Sequence, residues 1–489
     1  MKILRIMVFL LLSVLMVSGI SAQESEIEFE AFENTLFGIE GIIPLGWTSP
    51  AAGVYARGES VTDVTSLIIQ SAPLSSDALL PTLAGQLGLE AFPEAVGEIE
   101  TELGTWTTYL VEVEAGVSLN VTVAVLELDG VTYLALLQST AEEHEALLAS
   151  VFNPVIDSIL VLNPEENEEA LPYIAEDVTF ISGDLTLAGT LTIPEGDGQF
   201  PVVLLVSGSG GQDRDESLAP MAEIKPFRDI ADYLTRNGIA VLRYDDRGIA
   251  ESEGDYASAD IYDFRDDANA AINYLAERDE FSMIGIAGHS EGGIYAPEIA
   301  ITNDNVDFLI GLAAPTVSLI DILREQNQLL FATGGADEEQ LSAIDNAFAD
   351  LIVAQENADA DALRVAISAL IVAQGAEPTE QLVDGALAQF TSPIFESYFE
   401  YEPTAFWLDV DVPTLAIYGS LDLQVSAEQN ISAIESMNDT ITIVTIENMN
   451  HIFQIAETGA VSEYGTLEQT VTDELLETLS DWILEVTAQ

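Results

Sequence analysis

Apolar residues recur along this chain in two patterns, and the two halves use them differently. In the second half, short runs that are apolar throughout alternate with longer segments of helical spacing. Val202–Val206, Met283–Ala287, Phe308–Ala313 and Leu415–Tyr418 are continuous, as strands buried on both faces of a parallel sheet require. Leu185, Leu187, Leu191 and Ile193 alternate instead, which predicts an antiparallel hairpin opening the same sheet. Thr440–Ile446 is β-rich and predicts a further strand, while Leu475, Leu476, Leu479, Trp482, Ile483 and Val486 fall on one helical face and predict a closing helix. Between the strands at 308–313 and 414–418 lie four helix-like segments, Leu319–Ala332, Glu338–Glu356, Ala360–Gln374 and Thr379–Phe390. The fold class expected is α/β, a doubly wound and mostly parallel sheet, preceded by a smaller domain.

That smaller domain, expected over 24–162, has a different texture. Alternating segments predict strands near 66–72, 105–114, 117–128 and 131–138, with helices near 76–88 and 141–160, an α+β arrangement. It contains no catalytic constellation, and its role is either binding and positioning or purely structural. The texture, though no motif, is similar to that of PsbP and Mog1-like domains. Asn163–Glu169 is acidic and polar, so 163–171 is expected to be the linker to a domain spanning 172–489. At the start, Lys2 and Arg5 precede the apolar run Ile6–Val17 and the small residues that end at Ala22. This predicts a signal peptide over 1–22, cleaved after Ser21 or Ala22, and a secreted or extracytoplasmic, envelope-associated location. The competing membrane anchor is disfavoured because its core is shorter than the ~20 residues a span prefers.

Candidate chemistry centres on Gly288-His289-Ser290-Glu291-Gly292, set between an apolar strand and a helix-like run. A strand, a sharp Gly-flanked turn and a helix lift a serine hydroxyl to the carboxyl edge of a sheet, the place of a nucleophile. The chain has three histidines. His289 is poorly placed to reach back to its neighbour's hydroxyl, and His144, among Glu142, Glu143 and Glu145, reads as solvated surface. His451, in a loop leaving the strand at 440–446, is left as the general base. Asp422, where the strand 415–418 ends in a turn, is the candidate acid; Asp409 and Asp411 are rivals that precede their strand.

The order Ser290, Asp422, His451 is that of the α/β-hydrolases. With Ser207–Glu216, Gly238–Gly248, Pro413–Val425 and Asn450–Gln454 in sequence, the chain from about Leu171 onward resembles that family, in particular bacterial esterases related to dienelactone hydrolases and serine aminopeptidases. The resemblance implies an α/β-hydrolase fold with a helical cap at about 316–407, and oxyanion donors on the backbones of Ser209 and Glu291. Relatives often carry His at position 207, Pro at 211 and Gly at 250, where this chain has Ser207, Gly211 and Ala250. Asp213–Glu216 and Tyr244–Gly248 are read as ion pairs bracing loops rather than as substrate ligands. Phe390, Phe395, Tyr398, Phe399 and Tyr401 are read as packing between cap and sheet, with lining of an acyl pocket as the alternative. The function expected is a carboxylesterase acting on small or medium acyl esters, against a peptidase of the same fold or a non-catalytic binding protein.

Charge narrows the partners. The chain holds 84 Asp and Glu against 13 Lys and Arg, a formal net charge of −71, with 48% hydrophobic residues. Nucleic acid and anionic membranes are repelled by such a surface, and a neutral or cationic small-molecule acyl substrate is favoured over a polyanion. The hydrophobic content excludes a disordered polyanion. Without cysteine there are no disulfides, thiolate metal sites or lipid-anchored cysteine, and no cofactor or metal is expected. The basic residues Arg214 to Arg278 cluster around the predicted sheet and are read as partners of local acids. The acid excess itself implies adaptation either to high salt or to low pH. On the first alternative, the thermal midpoint at neutral pH rises steadily from low salt to about 1 M, where the Debye length shrinks to about 3 Å; a flat or falling midpoint leaves only the second.

Overall fold

The computed structural model describes residues 27–488 except 35–36, 59–62, 73, 87–88, 90, 115–117, 129, 163–170, 197 and 219–220. The predicted signal segment and all of the predicted linker except Leu171 therefore lie outside the described residues. The remainder forms two compact units, one reaching Leu162 and taking in Met221–Glu223, the other comprising 171–218 and Ile224 onward.

In the first unit a seven-stranded sheet runs in the order Thr48–Ala51, Val54–Ala56, Ser66–Ala72, Val131–Thr140, Ser118–Leu128, Thr105–Glu114 and Gly97–Glu100, antiparallel throughout. Its centre is buried on both sides. Leu79 and Leu83 of the helix Ser76–Gln86 pack with Ile68, Val121, Val123 and Leu136 on one face. Leu147, Val151, Phe152, Val155 and Ile156 of the helical stretch 144–158 pack with Leu67, Ile69, Trp106 and Leu137 on the other. A second small sheet joins Phe29–Asn34, Ile39–Pro44 and Leu160–Val161. One sequence expectation fails here. His144 is buried, its ring held between the Ser139 hydroxyl at Nδ1, 2.7 Å, and the Thr122 hydroxyl at Nε2, 2.8 Å. Glu142 and Glu145 are exposed and Glu143 is half-buried against Arg57, but the helical turn points His144 inward, and burial pulls its pKa down.

The second unit is built on β1 (Tyr173–Ser182), β2 (Leu185–Pro194), β3 (Phe200–Val206), β4 (Ala240–Tyr244), β5 (Phe281–His289), β6 (Phe308–Leu312), β7 (Thr414–Gly419) and β8 (Thr442–Ile446). They lie in the order β1-β2-β4-β3-β5-β6-β7-β8. The β1–β2 hairpin is antiparallel and meets β4 antiparallel; every later pairing is parallel. This is the α/β-hydrolase sheet that the sequence led us to expect. The helices α1 (Pro226–Arg236), α2 (Ile261–Ala276) and α3 (Gly292–Thr302) connect its strands. Helices α2 and α3 pack together in one core cluster with the sheet.

The insertion between β6 and β7 holds α4 (Leu319–Thr333), α5 (Glu338–Glu356), α6 (Ala360–Ala373) and α7 (Glu380–Phe390), close to the four segments expected. Each begins where a short polar side chain accepts from its first turn: Ser318, Asp337, Asp359 and Thr379. Two further short helices escaped the periodicity, α8 (Pro393–Ser397) and α9 (Pro403–Asp409). Both open on proline and are too brief to show a repeat. After them come α10 (Ala427–Met437), between β7 and β8, and the closing helix α11 (Asp473–Thr487), which packs on α1. Among the described residues no helix is long and apolar enough to cross a membrane.

Candidate active site

Ser290 stands where β5 ends and α3 begins, at φ +47, a left-handed conformation that strains a residue with a side chain. The turn closes because the residues two positions away on either side, Gly288 and Gly292, have none. A Cβ on Gly288 would lie 2.4 Å from the Gly292 carbonyl oxygen, and one on Gly292 would lie 2.5 Å from that of Val206. The Ser290 N–H is taken by the Leu312 carbonyl of β6 at 2.9 Å, which fixes the elbow to the neighbouring strand.

Asp422 and His451 meet although 29 residues separate them. The loop after β7 lies on the loop after β8: Leu421 donates to the Met449 carbonyl at 3.0 Å, and Gly419 packs so close to that carbonyl that a Cβ would come within 2.1 Å. His451 Nδ1–H donates to Asp422 Oδ2 at 2.8 Å, leaving Nε2 as the nitrogen able to take a proton. The other carboxylate oxygen accepts from the backbone of Gln424 and Val425, each at 2.8 Å. Asp422 is thereby fixed in orientation. The rivals Asp409 and Asp411 are exposed. Among the described hydrogen bonds none joins Ser290 Oγ to His451; such contacts are often long in the absence of substrate.

The loop after β3 supplies the other wall. Neither the Ser209 nor the Glu291 backbone N–H donates to any described residue, and both residues line a cavity of about 650 Å³ together with Ser290. Two free amides beside a serine are what an oxyanion requires. The same cavity is lined from the insertion by Leu319, Ile322, Leu323 and Phe395, with Ile294 and Val425 from the sheet side. Of the five aromatic residues in question, Phe395, Tyr398 and Tyr401 belong to the core cluster, as expected; Phe395 and Tyr398 also line the cavity, so both readings hold for these two.

Sequence reasoning treated Asp213–Glu216 as one bracing group. The structure separates them. Arg214 pairs with Asp245 at 2.7 Å, and Asp215 with Arg243 at 2.8 Å. Arg247 pairs with Asp267 at 2.7 Å, Arg265 with Glu298 at 2.9 Å and Arg278 with Glu280 at 2.6 Å. These five arginines around the sheet are thus consumed by local acids. At position 250, where relatives often have Gly, Ala250 keeps φ +43, so the loop conformation survives the side chain.

Glu216 does something else. Its Oε1 accepts from the Gly208 N–H at 2.7 Å and from His289 Nδ1 at 2.7 Å, while His289 Nε2–H donates to the His451 carbonyl at 3.1 Å. One buried ion pair therefore ties the loop of Gly208 and Ser209, the elbow and the loop of His451. Burial pulls the His289 pKa down, but the adjacent Glu216 charge and the two hydrogen bonds outweigh it, and the net shift is upward. No spacing signal links positions 216, 289 and 451. The sign follows from the raised value. The stabilisation is fully present below the ordinary histidine pKa of about 6.5 and is lost as pH rises through the folded value. Glu216→Gln is expected to cost about 3–5 kcal/mol in urea unfolding at mildly acid pH and less in alkali; a variant equal to the wild type at both would contradict the bridging role.

Residues 222–335, which carry α1, β4, β5, the elbow and α3, match the family described as serine aminopeptidase, S33. Esterase EstD of Thermotoga maritima is 28% identical over 321 residues, 63% of this chain and 70% of that protein. Similar solved structures include the Pyrococcus furiosus esterase PF2001, 14% identical, covering 66% of this chain and 94% of that one at a TM-score of 0.41. Est1E from Butyrivibrio proteoclasticus with ferulic acid bound is 15% identical, covering 64% and 100% at a TM-score of 0.39. By its own strand order the second unit carries the α/β-hydrolase fold, and in sequence the chain is similar to a serine aminopeptidase family and to an esterase.

Proposed function

We propose that this chain is a secreted serine hydrolase, a carboxylesterase cleaving small or medium acyl esters through an acyl-enzyme on Ser290. The observation that carries the reading is the 2.8 Å Asp422–His451 pair in the unit whose elbow presents Ser290 to a cavity with two free amides. In the first step Ser290 Oγ attacks the ester carbonyl as His451 Nε2 takes its proton, and the Ser209 and Glu291 N–H groups receive the oxyanion. His451 then protonates the departing alcohol. A water that gives its proton to the same nitrogen releases the acid. Asp422 stays ionised throughout and steadies the imidazolium.

Sequence similarity to an esterase supports the ester reading. The match to a serine aminopeptidase family favours one alternative, an amide substrate handled by the same residues. The cavity, about 650 Å³ and lined by aliphatic, aromatic and glutamine side chains with the Glu291 carboxyl, takes a compact acyl group on either reading. Export rests on the 1–22 segment of the sequence.

With short-chain p-nitrophenyl esters, Ser290→Ala and His451→Ala are each expected to lower kcat by about 10⁴–10⁶, and Asp422→Asn by about 10⁴, with folding intact by circular dichroism. Retention of more than about a tenth of the activity by Ser290→Ala would exclude the acyl-enzyme. Aminoacyl p-nitroanilides turned over faster than the esters would select the peptidase.

A further inference from the structure

We propose that the Glu291 side chain makes this cavity a site for esters bearing an ammonium group, so that substrate charge is selected along with acyl size. The inference builds on the reading of Ser290 as nucleophile. It starts from a carboxyl group in an unusual position. Glu291 is only 6% exposed and lines the cavity next to Ser290. One of its oxygens accepts from the Tyr398 hydroxyl; the other has no hydrogen-bond partner among the described residues.

Other buried carboxylates of this unit have a cation or are fully used. Asp245 has Arg214, Asp267 has Arg247 and Glu216 has His289, while Asp422 has both oxygens taken, by His451 Nδ1–H and by the Gln424 and Val425 N–H groups. Asp246 has no cation, but its two oxygens are taken by the Ser207 hydroxyl and the Gln212 N–H. Glu291 has neither, and none of the described residues lining the cavity is Lys, Arg or His. A carboxylate taken out of water without a counter-charge is costly, and a ligand cation removes that cost. The remaining lining suits such a group: Tyr256, Phe395 and Tyr398 bring aromatic rings, and Gln326, Gln389 and Gln424 bring neutral dipoles.

Charge state supplies a signature that shape selection lacks. Burial pushes the Glu291 carboxyl up to about 7, against the hydrogen bond from Tyr398, which pulls it down. The groups that face it are Tyr398 from the insertion, Tyr256 from the loop after β4, Asp246 at the end of β4 and Tyr295 on α3, all acids or phenols. None brings positive charge. Glu291 is therefore neutral below this value and negative above it, so preference for a cation grows as pH rises through neutrality. A bound cation in turn extends the ionised range to lower pH.

The test compares ester pairs of one shape, a quaternary ammonium against its carbon isostere, with the charge on the alcohol in one arm and on the acyl group in the other. With the full chain at constant ionic strength, kcat/KM is expected to favour the cation by about tenfold or more above neutrality in at least one arm, the arm that identifies which part of the ester reaches Glu291. The ratio is expected to fall toward unity in acid. In Glu291→Gln it is expected to stay within about twofold at every pH, whatever happens to the absolute rate. A flat wild-type ratio in both arms, or a ratio that survives in Glu291→Gln, overturns the proposal. Calorimetric binding of the same pairs to Ser290→Ala separates this from the nucleophile reading. Tighter binding of the cation there, lost on adding Glu291→Gln, supports the site even if ester turnover fails; equal binding of cation and isostere refutes it.

Discussion

The buried Glu216–His289 pair is the constraint on which the site depends, because it is the contact shared by three loops that the chain brings together from far apart. The loop carrying Gly208 and Ser209 follows β3, the elbow with Ser290 follows β5, and His451 follows β8. Glu216 holds the first through the Gly208 N–H and the second through His289, and His289 reaches the third through the His451 carbonyl. Hydrogen bonds to a backbone carbonyl and a backbone amide fix main-chain position, which side-chain packing alone does less sharply. The pair itself sits out of water, where charges are costly unless their bonds are met. Its second glutamate oxygen is buried with no partner among the described residues, so the arrangement keeps position at the expense of stability.

The same scarcity of positive charge organises the rest. With 13 Lys and Arg for 84 acids, few cations are available, and those near the sheet are placed in structural pairs behind the loops. Arg57 does the same in the first unit, with Asp63 at 2.7 Å and Glu143 at 2.9 Å. The cavity is left with one carboxyl and uncharged walls. A surface rich in acids and a cavity without a cation act in the same direction on an approaching charged ligand.

What was legible in the sequence follows from what kind of pattern carried it. Continuous apolar runs identified β3, β5, β6 and β7, since strands covered on both faces leave no polar position. The insertion helices α4 to α7 were readable because each is long enough to repeat and begins at a capping residue. The strands Phe29–Asn34, Ile39–Pro44 and Gly97–Glu100 were not, being short and half exposed. The candidates Ser290, Asp422 and His451 were picked out by glycines, strand ends and the shortage of histidines, and the structure brings Asp422 and His451 together. His144 misled because exposed glutamates surround a single inward position. Glu216 and the Tyr398–Glu291 bond were beyond reach for a different reason: nothing local marks a partnership formed only when distant loops close on each other.

The central claim is that an acyl group passes through Ser290, and trapping that intermediate tests it most directly. The wild-type protein would be mixed with a slowly deacylated ester, quenched in acid during turnover, and digested for peptide mass analysis. The account predicts a mass increase equal to the acyl group, confined to the peptide containing Ser290 and absent when His451 is replaced by alanine. An adduct on another residue, or turnover with no adduct under conditions that outpace deacylation, would contradict it.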